Sequence, residues 1–441
     1  MVVKILFILF LFLPILMPKA SERNGYIENV EISINDVLNS KLNDNNYNTY
    51  NKINANDTIK ITSTMEFNYV YIIYYINSQI GIIDYNNNST NIGENNFLHE
   101  CIRLDNKTTE ASLKYNENVA IKEIFLFNDT LPQWVETWNE PYEKADVVLF
   151  STHSDDEHLF FAGLIPTMIA NDKKIQVIYL VNHNDNPKRL DEQLSGLWQV
   201  GLRNYPVLGI IPDAYSESLD GATNNLIYQG YSIDDVINFE ADVIRKFRPS
   251  IVVGHDEAGE YGHGQHILNT YALKEALNLL TEEEKPYKVY LHLYKENPIV
   301  MNYDIPLEHY NGATAYEISK RGYAEHISQH YTWFTDWLLG KNNDYTLATQ
   351  IKTYSPLNYG LYYSKVGYEN KDGDMFYNIP TETIDETTEE LEINDEIQDT
   401  ENNNNITSNK ENNHIYFYFI VGIGGILVLM TIIIIWLKKK H

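Results

Sequence analysis

From Ala145 onward, apolar runs of strand length alternate with helical segments, and that alternation restricts the fold more than any other feature of the chain. DVVLFS reads as a buried strand and HLFFAGLIPTMIAN as a helix. IQVIYLVN is the next strand and LDEQLSGLWQVGLR the next helix. SIDDVINFEADVIRKF follows as a helix capped by Ser232, with Asp235 three residues on as the capping acid. PSIVVGH, QHILNTYALKEALNLL and KVYLHLY continue as strand, helix and strand. Parallel strands need crossover helices, and those helices bury both faces of the sheet. The expected fold is therefore α/β, a Rossmann-like, mostly parallel sheet with helices on both faces. In such sheets ligands gather at the carboxyl ends of the strands.

The rest of the chain divides by composition. Residues 1–20, MVVKILFILFLFLPILMPKA, read as a signal peptide. Residues 24–139 are rich in Ile, Val, Tyr and Thr, in runs such as TIKITSTMEF, YVYIIYYI and VAIKEIFLFN, with Asn, Asp and Gly between them. That pattern predicts a β-sandwich-like domain of antiparallel strands. Residues 140–380 hold the α/β domain and a helical extension after Pro306. Residues 381–414 read as an acidic, disordered stalk. Residues 415–437 are uncharged and apolar, long enough to span a bilayer as a helix. Lys438, Lys439 and Lys440 follow, so residues 438–441 read as a cytoplasmic tail. These readings together predict a single-pass type I membrane protein with a lumenal or extracellular body, in the endoplasmic reticulum or at the cell surface. Asn-X-Ser/Thr acceptors at Asn56, Asn87, Asn88, Asn106, Asn128 and Asn405 suit a glycoprotein on that side, although an Asn-rich chain makes such triplets by chance.

A net charge of −28 over 441 residues excludes nucleic acid as a partner, because a phosphate binder needs a basic face. A single cysteine, Cys101, excludes an intramolecular disulfide framework and a cysteine-based zinc site. Metal chemistry must then come from imidazoles and carboxylates.

Two clusters supply them, each at the end of a predicted strand. The first is His153-Ser-Asp-Asp-Glu-His158. Two carboxylates beside an imidazole can divide the work, one ligating a metal and the other taking a proton from water. The second is IVVGHDEAGEYGHGQH, with His255, His263 and His266. Two histidines and a carboxylate are a common zinc set. Spacing alone does not choose the ligands, and either cluster by itself is equally a polar loop or a helix cap.

His153-Ser-Asp-Asp-Glu resembles the His-Pro-Asp-Asp-Glu signature of the LmbE/PIG-L family of zinc N-deacetylases. Tyr261-Gly-His-Gly-Gln-His266 resembles that family's Tyr-Gly-His-Pro-Asp-His element. The resemblance spans about residues 145–294. It implies an LmbE-like fold and a Zn2+ ion held by His153, Asp156 and His266. It implies Asp155 as general base, His263 as general acid or oxyanion stabiliser, and Tyr261 as a further donor to the oxyanion. It places Arg189 at the sugar or a phosphate. His158 and His255 fall on no ligand position and are expected to pack or hydrogen-bond, as are His292, His326 and His330. Two departures stand out. Ser154 replaces the usual proline, and Gly264-Gln265 replaces the usual Pro-Asp, removing an acid that would orient a ligand histidine.

The function this implies is removal of an acetyl group from an N-acetylglucosaminyl glycolipid or other glycoconjugate, as in glycosylphosphatidylinositol anchor biosynthesis. The membrane partner would be reached through residues 415–437. The alternative is a membrane-anchored carbohydrate-binding surface protein with an inactive deacetylase-like site. A metal-dependent phosphoesterase fits less well, since two-metal sites carry more carboxylates.

Overall fold

The computed structural model describes residues 19–380. Six strands form one sheet in the order Ile175–Tyr179, Val147–Ser151, Ile251–Gly254, Lys288–His292, Asn358–Ser364 and Pro298–Val300. The first four run parallel. The last two pair antiparallel and close one edge. Every residue of the four parallel strands is buried, which is why they read as mostly apolar runs rather than alternating ones. Side chains still alternate between faces. Val147 and Leu149 join one core with the helices Pro187–Gln199 and Ala315–Glu325. Val148 and Phe150 join another with Ile233–Phe247 and Gly264–Leu279. Ser232 and Asp235 form the expected capping box.

HLFFAGLIPTMIAN is not one helix. It forms Asp156–Leu159 and Leu164–Ala170, parted at Gly163. Gly163 has φ +93°, and a Cβ there would lie 2.3 Å from the Tyr303 ring. The bare glycine lets that ring into the core, at the cost of the continuous helix. A further helix, Leu219–Tyr228, was not anticipated, because LDGATNNLIY carries Gly, Thr and two Asn of low helix propensity. Ser218 caps it.

The N-terminal part is antiparallel β throughout. The runs TIKITSTMEF and YVYIIYYI merge into one strand, Ile59–Tyr74, whose register shifts between Thr62 and Phe67. Val70, Ile72 and Tyr74 pack in one core, while Tyr71 and Ile73 meet Phe125, Phe127 and Trp134 on the other face.

This β layer docks on the α/β layer through a buried ionic network. The His99 ring lies 2.8 Å from Glu136 Oε2 and 3.0 Å from Asp191 Oδ1. Lys122 Nζ donates to Asp191 Oδ2 at 2.5 Å. Burial opposes a charge on His99, but Glu136 and Asp191 outweigh it and raise its pKa. Phe97 stacks on Tyr205 beside it, ring centroids 4.4 Å apart.

The reading of a single-pass type I membrane protein is corrected. Among the described residues no helix is long and apolar enough to cross a membrane. The helix Gly264–Leu279, of 16 residues, extends about 24 Å, short of a hydrocarbon core of about 30 Å. The segments that suggested the leader, stalk, span and tail, apart from residues 19 and 20, lie outside the described residues.

Removing one partner of a buried ion pair strands the other, at a cost of roughly 3–5 kcal/mol. Lys122→Met is therefore expected to lower the unfolding free energy by that amount in urea titration. Lys60→Met, which breaks the exposed pair with Glu110, is expected to leave it unchanged.

Candidate metal centre

The turn after Val147–Ser151 and the start of the helix Gly264–Leu279 bring three side chains together. His153 Nδ1 lies 3.1 Å from His266 Nε2. Asp156 Oδ2 lies 3.3 Å from the first and 3.2 Å from the second. The His153 backbone N–H donates to the same oxygen at 2.7 Å, which fixes its position.

Partners elsewhere on the rings decide which nitrogens are bare. Gln265 Nε2 donates to Pro212 O at 3.0 Å, and Ala214 N–H donates to Gln265 Oε1 at 3.1 Å. That fixes the amide orientation, so Oε1 faces His153 Nε2 at 3.0 Å and that nitrogen carries the proton. His266 Nδ1 donates to Glu260 Oε2 at 2.7 Å. His153 Nδ1 and His266 Nε2 therefore turn lone pairs towards each other and towards a carboxylate oxygen. Such a group calls for positive charge between its members. The pKa of His266 records it: burial pushes down, but Asp156 and Glu260 pull it up to about 10. Atoms bound at about 2.0–2.1 Å to one tetrahedral centre lie roughly 3.3–3.4 Å apart, close to the separations here. The residues fit a metal ion.

His255 and His263 also come within ligand range. His255 is already committed. Its Nε2 accepts the Thr152 N–H at 3.0 Å and its Nδ1 donates to Glu260 Oε2 at 2.8 Å. His263 Nδ1 accepts the Gln265 N–H at 3.1 Å. Burial and the neighbouring His153 and His266 push its pKa down to about 2, so it is a neutral ring with its proton on Nε2.

Asp155 and Asp156 differ in environment although they are adjacent. Burial pushes Asp155 well above the usual carboxylate range, with Arg189 pulling the other way. Burial opposes the charge on Asp156 too, but His266 and His153 hold it well below. Asp155 has φ +113° and donates its N–H to Glu157 Oε2 at 2.9 Å. Arg189 donates to Ser154 O at 2.5 Å and meets Asp155 Oδ1 and Asp213 Oδ2 at 3.3 Å each.

A cleft of about 370 Å3 opens on these groups, lined also by Tyr215, Gln329, Trp333 and Phe334. Tyr261 has φ +49° and sets its ring 5.5 Å from that of His263 and 5.3 Å from Phe334. Burial pushes its pKa up, so its hydroxyl stays a donor. A larger hollow, of about 980 Å3, lies where Leu131, Arg203 and His309 meet, and gathers no set of imidazoles.

Glu260 was missed. Its two oxygens take His255, His266 and, at 2.6 Å, His292. Nothing in the spacing of HDEAGEY distinguishes it from Asp256 or Glu257. It sits in a turn where Gly259, Tyr261 and Gly262 all take positive φ. The departures at 154 and 264–265 are built in. The Ser154 N–H donates to His183 Nε2 at 3.1 Å, which a proline could not do. A Cβ on Gly264 would lie 2.0 Å from Ser216 Oγ. Gln265 orients His153, and Glu260 supplies the carboxylate behind His266.

A mostly parallel α/β sheet with an imidazole–carboxylate group at its strand ends defines the class as an α/β protein with a candidate metal site. The family model described as PIG-L, GlcNAc-PI de-N-acetylase, matches residues 148–277, and the chain carries a PIG-L (LmbE-like) domain there. No curated protein matches the chain. Among solved structures, the deacetylase–bog complex of the teicoplanin biosynthesis pathway is 15% identical, over 44% of this chain and 89% of that one, with a TM-score of 0.31. A conserved protein from Thermus thermophilus is 16% identical, over 42% and 81%, with a TM-score of 0.30. CpGH89CBM32-6 from Clostridium perfringens is 18% identical, over 23% and 94%, with a TM-score of 0.20. Likenesses of that depth establish no shared chemistry.

Removing a carboxylate behind a ligand histidine costs about 10–100-fold in metal affinity. Glu260→Gln is expected to raise the zinc Kd by that factor in competition with a chelating dye. An unchanged Kd would show that His266 is oriented without it.

Proposed function

We propose that the chain is a zinc-dependent hydrolase that removes the acetyl group from an N-acetylglucosaminyl conjugate. The convergence of His153 Nδ1, Asp156 Oδ2 and His266 Nε2 beside the partly free Asp155 carboxylate carries this reading. The description of the matched family supplies the substrate class.

The three converging atoms would hold the ion. When bound, zinc supplies Lewis acidity to the amide carbonyl and brings the pKa of a water towards neutrality. Asp155 Oδ2 has no hydrogen-bond partner and is available to take the proton of the attacking water. The environment that raises its pKa suits it to return that proton to the nitrogen as the C–N bond breaks, releasing acetate and a free amine. His263 Nε2–H and the Tyr261 hydroxyl donate to the oxygen that gains charge. A neutral His263 favours this donor role over that of general acid. Arg189 is a positioning residue in this account. With contacts to Ser154, Asp155 and Asp213, it holds Asp155 in the left-handed turn and moderates its pKa. Trp333, Phe334 and Tyr215 offer aromatic faces to a sugar ring at the cleft mouth.

General acid–base catalysis contributes about 10²–10⁴-fold. Asp155→Asn is expected to lose acetate release by that factor on N-acetylglucosaminyl-inositol and its phosphatidyl form, with zinc content unchanged. Zinc retained with no acetate from either substrate in the unmutated protein would sink the proposed reaction.

A further inference from the structure

Glu157 and His158 follow Asp156 at once, yet neither joins the triad. They meet His326 instead, which lies beyond the matched residues 148–277. Glu157 Oε1 is 3.3 Å from His326 Nε2 and 3.6 Å from His158 Nε2. The three residues each offer a ligand atom within 4.8 Å of the others. All three of these atoms are buried, and none has a hydrogen-bond partner. Buried polar atoms are almost always satisfied, and three orphans in one place mark a missing occupant.

Two helices approach this group closely. The helices Pro187–Gln199 and Ala315–Glu325 present glycines at this point. A Cβ on Gly196 would lie 2.7 Å from His326 Nε2 and 2.9 Å from His158 Nε2. A Cβ on Gly322 would lie 2.7 Å from His158 Nε2. Any larger residue at 196 would crowd both nitrogens, and one at 322 would crowd His158. The buried Tyr179 hydroxyl faces Glu157 and adds a further oxygen to the group.

We propose that Glu157, His158 and His326 hold a second divalent transition-metal ion of the zinc class, distinct from the ion of the cleft. Two imidazoles and a carboxylate with no open approach are a structural donor set, the fourth position falling to Tyr179 or a water. The ion would tie the turn Asp156–Leu159 to the helix Ala315–Glu325. Glu157 Oε2 holds the Asp155 N–H at 2.9 Å, so the same ion would steady the backbone of Asp155.

The test is the zinc content of the full chain after loading and dialysis against excess calcium, which clears the acidic surface. Two equivalents are expected. His153→Ala is expected to keep one. His326→Gln and, separately, Gly196→Ala are also expected to keep one, with circular dichroism showing each variant folded. A folded chain holding a single equivalent that only His153→Ala removes would overturn the proposal and assign the orphaned atoms to a water. A second equivalent that survives both His326→Gln and Gly196→Ala would overturn it too. A single equivalent lost with His326→Gln but kept with His153→Ala would sustain this site and sink the proposed function.

Discussion

The Glu260 carboxylate is fully buried, and three imidazole N–H groups make that burial tolerable. A charge taken out of water costs several kcal/mol unless hydrogen bonds meet it. Burial works to raise its pKa, but His255, His266 and His292 outweigh it and hold the group ionised. These histidines come from the end of Ile251–Gly254, the helix Gly264–Leu279 and the strand Lys288–His292. One acid therefore locks three elements of the sheet layer together and sets the tautomer of each ring. His266 is left with Nε2 free, and that is the nitrogen the cleft needs.

The same logic extends to the residues that depart from the family pattern. Ser154 keeps an N–H for His183, Gln265 fixes the proton of His153, and Gly264 lets the loop at Ser216 close on the helix start. Each departure has a partner elsewhere in the chain. Arg189 belongs to this set as well. It sits on the helix Pro187–Gln199, whose Asp191 is pinned by Lys122 and His99 from the β layer. The N-terminal sheet thus buttresses the helix that holds Asp155.

The parallel sheet was legible because strands buried on both faces are mostly apolar, with few polar residues such as Gln176 and Lys288, and the capping box at Ser232 marks its helix plainly. The grouping of His153, Asp156 and His266 was expected from resemblance alone, since spacing left His255, His263 and His266 equivalent. What separates them is the second nitrogen of each ring, and its partner lies far off in sequence or in a turn of unusual φ. The break at Gly163 depends on the distant Tyr303. The merging of two predicted strands into Ile59–Tyr74 depends on apolar cover for both faces. Glu260 was hidden beside two other acids of the same loop, Asp256 and Glu257. Long-range packing decides all of these, and no local pattern encodes it.

The central claim is that His153 Nδ1, Asp156 Oδ2 and His266 Nε2 share one ion. A crystal soaked with zinc and measured across the zinc absorption edge tests it most directly. The account predicts an anomalous peak contacted by these three atoms, with His255 and Glu260 behind it and unbound. A peak ligated by His255, or none among the three atoms at full loading, would contradict it.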